Sequence, residues 1–214
     1  MSMRSAIKIV MVMNERLNNT LDSYNFKNGT IIIIVDISGF TKLVYNTDLA
    51  TGKNITLSLL SSIIRNNRLG LSIAEIEGDA IFFYKFGKSP SHGAVFQQYE
   101  VMLNDFIKTL DQLYQKTEER IDLSLKMVVH YGAIIQYQIS HFKKLYGETV
   151  MEAHLLLKNE INSHSYVLMT DDYIHSLNNQ NLEGYSSKGS KTCEILGGIK
   201  NVCYTFYDFS KAAA

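Results

Sequence analysis

The chain has no excess of charge of either sign and no long apolar segment. Its 214 residues include 21 lysines and arginines against 21 aspartates and glutamates, so the formal net charge is zero. Proteins that bind nucleic acid or anionic membranes through electrostatics usually carry a basic surplus, so we expect neither partner. The longest apolar runs, residues 31–35 and 9–13, are far shorter than the roughly 20 residues that span a bilayer. The sequence therefore predicts no membrane segment.

Cysteine is scarce, and the first residues lack the small-residue cleavage site of a secretory signal. Two cysteines, Cys193 and Cys203, are present. In a chain of this size without a secretory signal, the pattern favours reduced thiols and a cytoplasmic protein. A pairing of the two cysteines across a C-terminal hairpin is left open.

Several motifs of common enzyme classes are absent. The sequence has no Gly-x-Ser-x-Gly and no phosphate loop of the Gly-x-x-x-x-Gly-Lys-Ser/Thr type. Four histidines, His92, His141, His164 and His175, have no metal-ligand spacing, and His130 is expected to be a structural residue of the central sheet. These absences argue against hydrolases that use a serine nucleophile, and against a zinc centre.

Apolar periodicity predicts strands that alternate with helices. Helical patterns cover residues 3–22, 41–68, a long stretch after Pro90, 147–160 and a short segment capped by Asp171 and Asp172. Strand patterns cover residues 31–35, 71–77, 80–86, 123–129, 134–140, 166–170, 192–196 and 202–209.

Some of these strands are expected to join through hairpins, and residues 134–140 are expected to pair with 123–129. Strands that alternate with helices but join partly through hairpins predict an α+β sandwich with helices on one face of the sheet. We expect an N-terminal helical extension over residues 1–28 and a single domain over residues 29–211.

Two short stretches place an aspartate where an apolar run meets a glycine. Residues 34–41 read Ile-Val-Asp-Ile-Ser-Gly-Phe-Thr, and residues 75–83 read Glu-Ile-Glu-Gly-Asp-Ala-Ile-Phe-Phe. The aspartates are Asp36 and Asp79. At the edge of a sheet, such carboxylates can hold a metal bound to phosphate, so the pattern indicates a nucleotide site.

The two motifs resemble the catalytic domain of class III nucleotidyl cyclases, the adenylate and guanylate cyclase family. In that family the first metal aspartate lies in an Asp-Ile-x-Gly-Phe-Thr run, and the second follows a glycine in a hairpin. The resemblance runs from about Gly29 to Phe209 and includes residues 126–132 and 146–150. It implies a ferredoxin-like cyclase fold, with a mixed, mostly antiparallel central sheet and helices packed on it.

The resemblance implies that Asp36 and Asp79 hold two divalent ions, Mg²⁺ or Mn²⁺. Magnesium takes few protein carboxylates and completes its octahedron with phosphate oxygens and water, so two aspartates suffice. Phosphates are expected on the backbone of the loop formed by Ile37, Ser38, Gly39, Phe40 and Thr41. The plainer alternative is that Asp36 caps the following helix and Asp79 only forms the turn.

Two further residues match the family's base-selecting positions. Glu75 lies three residues before the hairpin glycine, where adenylate cyclases have lysine and guanylate cyclases have glutamate. Lys144 lies three residues before Gly147, where many adenylate cyclases have aspartate. A carboxylate can accept from guanine N1–H and a lysine can approach guanine O6. Guanine is the slightly favoured base, and a pyrimidine is the alternative base. The alternative to base binding is a simple Glu–Lys pair on the surface.

The helix after Gly147 departs from the family. Met151 and Leu155 stand where the resemblance implies an asparagine and an arginine that orient the ribose and stabilise charge on the α-phosphate. Loss of one such donor typically lowers the rate by on the order of a hundred- to a thousandfold. His154 and Lys158 repeat the four-residue spacing three residues later, so we expect them as catalytic substitutes. The alternative is a packed histidine and a solvated lysine.

Two interpretations of the function follow. The intact aspartates favour an enzyme, a divergent cyclase that converts a nucleoside triphosphate into a 3′,5′-cyclic nucleotide and pyrophosphate. Met151 and Leu155 favour a catalytically silent domain that acts as a nucleotide sensor or a dimerisation module. The resemblance also implies a homodimer, because in the family the metal aspartates and the base-contacting residues come from opposite subunits.

Overall fold

A computed structural model describes residues 29–115, 122–177 and 189–210, and the predicted helical extension over residues 1–28 lies outside them. The described strands are β1 (Thr30–Ser38), β2 (Ser72–Glu77), β3 (Ala80–Phe86), β4 (Ser124–Gly132), β5 (Ile135–Ile139), β6 (Phe142–Tyr146), β7 (Tyr166–Thr170), β8 (Ser190–Leu196) and β9 (Lys200–Asp208). The described helices are α1 (Phe40–Asn46), α2 (Leu49–Arg65), α3 (His92–Tyr114), α4 (Glu148–Leu156) and α5 (Asp171–Ser176).

The main sheet has seven strands in the order β2-β3-β1-β4-β7-β9-β8. Its pairs are antiparallel except β4 with β7, which run parallel. The run of buried isoleucines in β1 suits a strand covered on both faces, and side chains from Ile31 to Val35 are almost fully buried. The predicted mixed, mostly antiparallel sheet and the hairpin of β2 with β3 are confirmed.

Helices cover both faces of this sheet, so the expectation of helices on one face is wrong. One core contains the β1 residues Ile31, Ile33 and Val35, and α1, α2, α3 and α5 pack on it. The opposite core contains Ile32 and Ile34, and α4 packs there. Alternate β1 residues point to opposite faces, so a continuously apolar strand needs a cover on each side.

Three predicted elements differ in the structure. Strand β5 does not pair with β4, because β4 already has β1 on one side and β7 on the other; β5 pairs with β6 in a separate two-stranded sheet. The helix predicted over residues 41–68 is two helices. Asp48 caps the second, accepting hydrogen bonds from the backbone N–H groups of Ala50 and Thr51. Thr170, rather than Asp171 and Asp172, caps α5.

The C-terminal hairpin of β8 and β9 forms as predicted, with a turn at Gly197 and Gly198. Cys193 and Cys203 face each other in its register and form a disulfide. The expectation of reduced thiols is therefore wrong, and the open alternative of a pairing across the hairpin is what the structure has. No helix within the described ranges is both long enough and apolar enough to cross a bilayer.

Candidate nucleotide and metal site

Asp36 and Asp79 meet where β1 ends and β3 begins, inside the seven-stranded sheet. Asp36 lies near the end of β1 and pairs in register with Ala80, the first residue of β3. Asp79 directly precedes Ala80 in the tight turn after β2, where Gly78 has the positive φ of 61° that the turn requires. Strand register therefore brings together two aspartates that lie 43 positions apart in the chain.

The electrostatics of this pair fit a cation. Burial and then the negative charge of Asp36 raise the pKa of Asp79 from 3.8 to about 6, and the positive charge of Lys126 offsets part of this rise. Two carboxylates held this close repel each other unless positive charge lies between them. Hard oxygen donors of this kind are the ligands that Mg²⁺ and Mn²⁺ prefer, so the residues present fit a divalent metal.

Lys126 is a third charged member of the site, and no role follows for it from the sequence. It lies on β4 opposite Asp36 in the β1–β4 register, and its Nζ is 3.2 Å from Asp36 Oδ2. The Lys126 and Asp36 side chains are 23% and 17% exposed, so solvent screens their charges only in part. Successive residues of a strand point to opposite faces, so Lys126 lies on the same face of β4 as Ser124 and Val128. This alternation is the sequence signal for its position.

The predicted phosphate loop follows directly on Asp36. It comprises Ile37 and Ser38 at the end of β1, Gly39 at the N-cap, and Phe40 and Thr41 in the first turn of α1. Gly39 has a φ of 86°, and a Cβ there would lie 2.4 Å from the carbonyl oxygen of Asp122. Only glycine fits this position, so the backbone bends tightly between the strand and the helix.

His164, for which the sequence predicts no role, lies beside this loop. The Oγ of Ser38 and the Nδ1 of His164 are 2.9 Å apart in a hydrogen bond. His164 is exposed and Ser38 is buried, so the imidazole fixes the hydroxyl from the solvent side. This contact joins residues 126 positions apart, and short-range patterns therefore carry no signal for it.

The predicted base-binding residues lie together in this chain. The Lys144 ammonium donates a hydrogen bond to Glu75, and His154 Nε2 lies 3.9 Å from the other Glu75 carboxylate oxygen. His154 also stacks on Phe82, with ring centroids 4.1 Å apart. The Glu75 and Lys144 side chains are 33% and 45% exposed. An acceptor, a donor and a flat ring face thus lie within one accessible cluster.

Helix α4 is shorter than predicted, which changes the position of Lys158. The helix ends at Leu156 rather than near residue 160, because the Asn159 side chain donates to the Leu156 carbonyl oxygen and to the Tyr166 hydroxyl, each at 2.7 Å. Lys158 therefore lies beyond the helix and is exposed, and the expected helical spacing from His154 is wrong. The catalytic roles of both residues stay predictions.

Met151 and Leu155 both lie on α4, and both side chains are apolar. Met151 is 50% exposed and borders an open pocket of about 510 Å³ with Leu145, Tyr146 and Val150. Leu155 is partly buried. Neither side chain can donate a hydrogen bond to a ribose or a phosphate.

A second, buried charge cluster lies further along β4. His130 Nε2 is 2.8 Å from Glu152 Oε2, its Nδ1 is 2.9 Å from the Thr170 hydroxyl, and Lys200 Nζ is 2.7 Å from Glu152 Oε1. Burial lowers the pKa of His130. Burial opposes ionisation of Glu152, but the bonds from Lys200 and His130 outweigh it and hold its pKa below the usual value.

Ligand atoms of His130, Glu152 and Asp172 lie within 4.8 Å of one another. Glu152 contacts His130 of β4 and the Lys200 ammonium at the start of β9, so its carboxylate ties α4 to both strands. His130 lies buried on the central sheet, where the sequence predicts it, and its structural role stays a prediction.

A family model matches residues 56–166, with the description "protein of unknown function (DUF2652)". The chain belongs to this family. A curated relative, the uncharacterized protein Rv2561/Rv2562 of Mycobacterium tuberculosis, is 32% identical over 120 residues. The match covers 53% of this chain and 56% of that protein, so the chain spans just over half the length of this relative.

Solved structures of cyclases share the fold. The adenylyl cyclase CyaB from P. aeruginosa superposes with a TM-score of 0.64 at 16% identity, over 85% of this chain and 94% of that one. The guanylyl cyclase Cya2 gives 0.63 at 12% identity, over 84% and 91%. Adenylate cyclases from Trypanosoma brucei give 0.56 at 18% identity, over 85% and 88%. The cyclase fold that the sequence predicts is confirmed.

Proposed function

We propose that this chain binds a nucleoside triphosphate with two divalent ions, Mg²⁺ or Mn²⁺, at Asp36 and Asp79, and converts it into a 3′,5′-cyclic nucleotide and pyrophosphate. The observation that carries the proposal is the meeting of these carboxylates at the end of a buried strand, where burial and the charge of Asp36 raise the pKa of Asp79. Such a pair favours positive charge beside it, and the single charge of Lys126 offsets only part of the pKa rise of Asp79. The fold shared with adenylyl and guanylyl cyclases supports the reaction class.

The chain's own residues supply position and charge. When bound, two divalent ions activate the ribose 3′-hydroxyl and neutralise the triphosphate. The almost fully buried strand β1 holds Asp36 rigidly, and the bend at Gly39 allows a phosphate to approach the backbone of residues 37–41. Ser38, fixed by His164, offers a hydroxyl at the same loop. Positioning of this kind accounts for most of the catalysis of phosphoryl transfer.

Glu75 and Lys144 are the proposed base-reading pair, with guanine as the favoured base. Their mutual contact supports this role, because it fixes a carboxylate acceptor beside an ammonium donor on an accessible surface. Guanine offers N1–H to the carboxylate and O6 to the ammonium. Exchanging the charges with Glu75→Lys and Lys144→Asp should move the preference toward adenine, which offers N1 as an acceptor and N6 as a donor.

A second copy of this chain is the proposed partner, and the two-stranded sheet of β5 and β6 is its proposed contact. Its exposed apolar side chains include Ile139, Phe142 and Tyr146, with exposures of 60%, 56% and 69%. An exposed apolar patch of this kind marks an interaction surface. In such a dimer, the aspartates of one copy face the base-reading pair of the other, giving two sites.

A second candidate function is binding without turnover. The specific observation that favours it is the apolar character of Met151 and Leu155, which can neither orient the ribose nor stabilise charge on the α-phosphate. In that case the metal–nucleotide complex would act as a signal that the dimer surface transmits. Both candidates use the same aspartates, so product formation separates them.

Incubation with Mn²⁺ or Mg²⁺ and each of ATP, GTP, CTP and UTP tests the proposal. Cyclic nucleotide, pyrophosphate and nucleotide binding are measured for the native protein, for Asp36→Asn, and for Asp111→Asn, which removes an exposed carboxylate of α3. We expect cyclic GMP to be the main product, to vanish in Asp36→Asn and to persist in Asp111→Asn. Metal-dependent nucleotide binding without product would establish the silent domain instead, and equal product from both variants would refute a role for Asp36.

A further inference from the structure

Three side chains bring possible metal ligands together toward the end of β4, away from Asp36. They are His130, Glu152 and Asp172, and one ligand atom of each lies within 4.8 Å of the others. They belong to β4, α4 and α5, which meet only in the fold, so spacing along the sequence carries no signal for them. His130 lies four strand residues beyond Lys126, the register partner of Asp36, which is roughly 13 Å along a strand. The cluster is therefore separate from the proposed nucleotide site.

The separations in this cluster are close to those that a single ion requires. Metal–nitrogen and metal–oxygen bonds of about 2.0–2.2 Å place the ligand atoms of one tetrahedral ion roughly 3–4 Å apart. His130 Nε2 and Glu152 Oε2 are 2.8 Å apart. The Asp172 side chain is exposed in the first turn of α5, so rotation can bring its carboxylate closer to the other two. Side-chain adjustments alone would complete a site with three protein ligands.

The His130 ring already has the second contact that orients a metal-binding histidine. Its Nδ1 is 2.9 Å from the Thr170 hydroxyl, which can accept a hydrogen bond from Nδ1–H and leave the Nε2 lone pair for an ion. Thr170 is fully buried at the cap of α5, where its hydroxyl also accepts from the backbone N–H of Tyr173. The imidazole is thus held in place independently of Glu152.

One ammonium faces two carboxylates in this cluster. Lys200 Nζ is 2.7 Å from Glu152 Oε1, and the Lys200 side chain is 47% exposed, so it can turn out into solvent. Within residues 29–115, 122–177 and 189–210, Asp172 has neither an ion pair nor a side-chain hydrogen bond, and it interacts with Lys200 only at longer range. A divalent ion would balance both carboxylates, whereas the lysine balances one.

An open pocket of about 370 Å³ gives access to these side chains. Glu152, Asp172 and Lys200 line it together with Gly132 and Glu148. Glu148 is exposed on α4 and adds a further negative charge beside the cluster. The pocket thus offers a cation an entry path, and it has room for the water that completes four-coordination around an ion with three protein ligands.

We propose that His130, Glu152 and Asp172 bind one divalent transition-metal ion such as Zn²⁺, which displaces the Lys200 ammonium from Glu152. An imidazole with two carboxylates suits Zn²⁺, whereas Mg²⁺ prefers oxygen ligands alone. The bound ion joins β4, α4 and α5 at one point and fixes α4, the helix that carries His154. The inference goes beyond the proposed function, because it uses none of the residues assigned to the nucleotide.

Calorimetric titration of the whole chain with Zn²⁺, and with Mg²⁺ in parallel, tests this site. Every protein carries Asp36→Asn, which removes a ligand of the proposed nucleotide metals. Thiols are left out of the buffer, so that the disulfide of the C-terminal hairpin stays closed and offers no thiolate to zinc. Spectra of ¹⁵N-labelled histidine report directly on the Nε2 atom of His130.

The variants separate the cluster from other acidic residues. Asp172→Asn removes one proposed ligand. Asp171→Asn is the matched control, because this neighbouring carboxylate in the same helical turn contacts Lys191 instead. Lys200→Met removes the competing ammonium. Circular dichroism establishes that each variant folds, and Lys200→Gln serves if Lys200→Met does not.

We expect the Asp36→Asn protein to bind one Zn²⁺ with a shift of the His130 Nε2 signal, and to bind Mg²⁺ far more weakly. Asp172→Asn should weaken Zn²⁺ binding by on the order of a hundredfold, since even the loss of an outer-shell partner costs about ten- to a hundredfold. Asp171→Asn should match the Asp36→Asn protein. Lys200→Met should bind Zn²⁺ about tenfold more tightly, because a competing positive charge is gone.

Four results would overturn the proposal. The first is no Zn²⁺ binding by the Asp36→Asn protein, and the second is Zn²⁺ binding that Asp172→Asn leaves unchanged. The third is a His130 Nε2 signal that does not respond to Zn²⁺, which would exclude the imidazole as a ligand. The fourth is Zn²⁺ binding by Lys200→Met that is no tighter than before, which would refute the exchange of ammonium for metal at Glu152.

Discussion

Replacing Asp79 by asparagine should stabilise the metal-free protein above about pH 6 and remove its stabilisation by metal. The substitution keeps the shape of the side chain but removes its charge. Burial and the neighbouring Asp36 raise the pKa of Asp79 from 3.8 to about 6. Because the folded-state pKa is raised, the stability contributed by protonated Asp79 is fully present below about pH 4 and is lost as the pH rises through about 6.

The size of the effect follows from the shift and from exposure. A rise from 3.8 to about 6 corresponds to at most about 3 kcal/mol of free energy of unfolding. The side chain is partly exposed, so solvent screening reduces this, and we expect a gain of about 1 kcal/mol for Asp79→Asn at about pH 8. For a chain of this size, that gain raises the thermal midpoint by about 2–4 °C.

Thermal unfolding at about pH 4 and about pH 8, with and without excess Mn²⁺, measures both effects. The comparison uses the native protein, Asp79→Asn and the surface control Asp111→Asn. The higher thermal midpoint of Asp79→Asn should appear at about pH 8 and disappear at about pH 4. Mn²⁺ should stabilise the native protein and Asp111→Asn, but not Asp79→Asn. A variant less stable than the native protein at about pH 8 would refute the reasoning, because neither burial nor the charge of Asp36 would then disfavour the ionised form of Asp79.

Three further substitutions test the framework of the site, each by urea denaturation. Glu152→Ala leaves the buried His130 without its carboxylate and should lower the free energy of unfolding by about 3 kcal/mol, whereas Glu148→Ala, exposed on the same helix, should cost less than about 0.5 kcal/mol. Equal effects would contradict a stabilising role for the buried contacts of Glu152. Gly39→Ala forces a Cβ into the left-handed region and against a carbonyl oxygen 2.4 Å away, so a loss of about 2 kcal/mol is expected; a neutral effect would mean that the bend is not required. Cys193→Ser opens the disulfide of the C-terminal hairpin and should cost about 2–3 kcal/mol, a loss that reduction of the native protein should reproduce.

Local sequence patterns were sufficient to find the two aspartates. Each lies where an apolar strand meets a glycine, and a strand end and a tight turn are determined by a few neighbouring residues. The buried strand β1, the hairpin of β2 and β3 and the C-terminal hairpin were predictable for the same reason. Their boundaries differ from the predicted ones by only a few residues, as at residues 31–35 within the longer Thr30–Ser38 strand.

Features that depend on long-range register were not predictable. Lys126 and Asp36 become partners only through the β1–β4 pairing, and Ser38 meets His164 across most of the chain. The predicted pairing of β5 with β4 failed because the sequence does not show that β7 already occupies that side of β4. The early end of α4 depends on a hydrogen bond from Asn159 to Tyr166, a residue of the next strand.

The most direct test of the metal and nucleotide site is the binding of a nucleoside triphosphate to native protein and to Asp36→Asn, with and without Mn²⁺. A non-cyclisable GTP analogue and calorimetry report binding whether or not the protein turns over. We predict that the native protein binds the analogue only with Mn²⁺ and that Asp36→Asn loses this binding. Binding that needs no metal, or that survives Asp36→Asn, would contradict the assignment of Asp36 and Asp79 as the metal ligands.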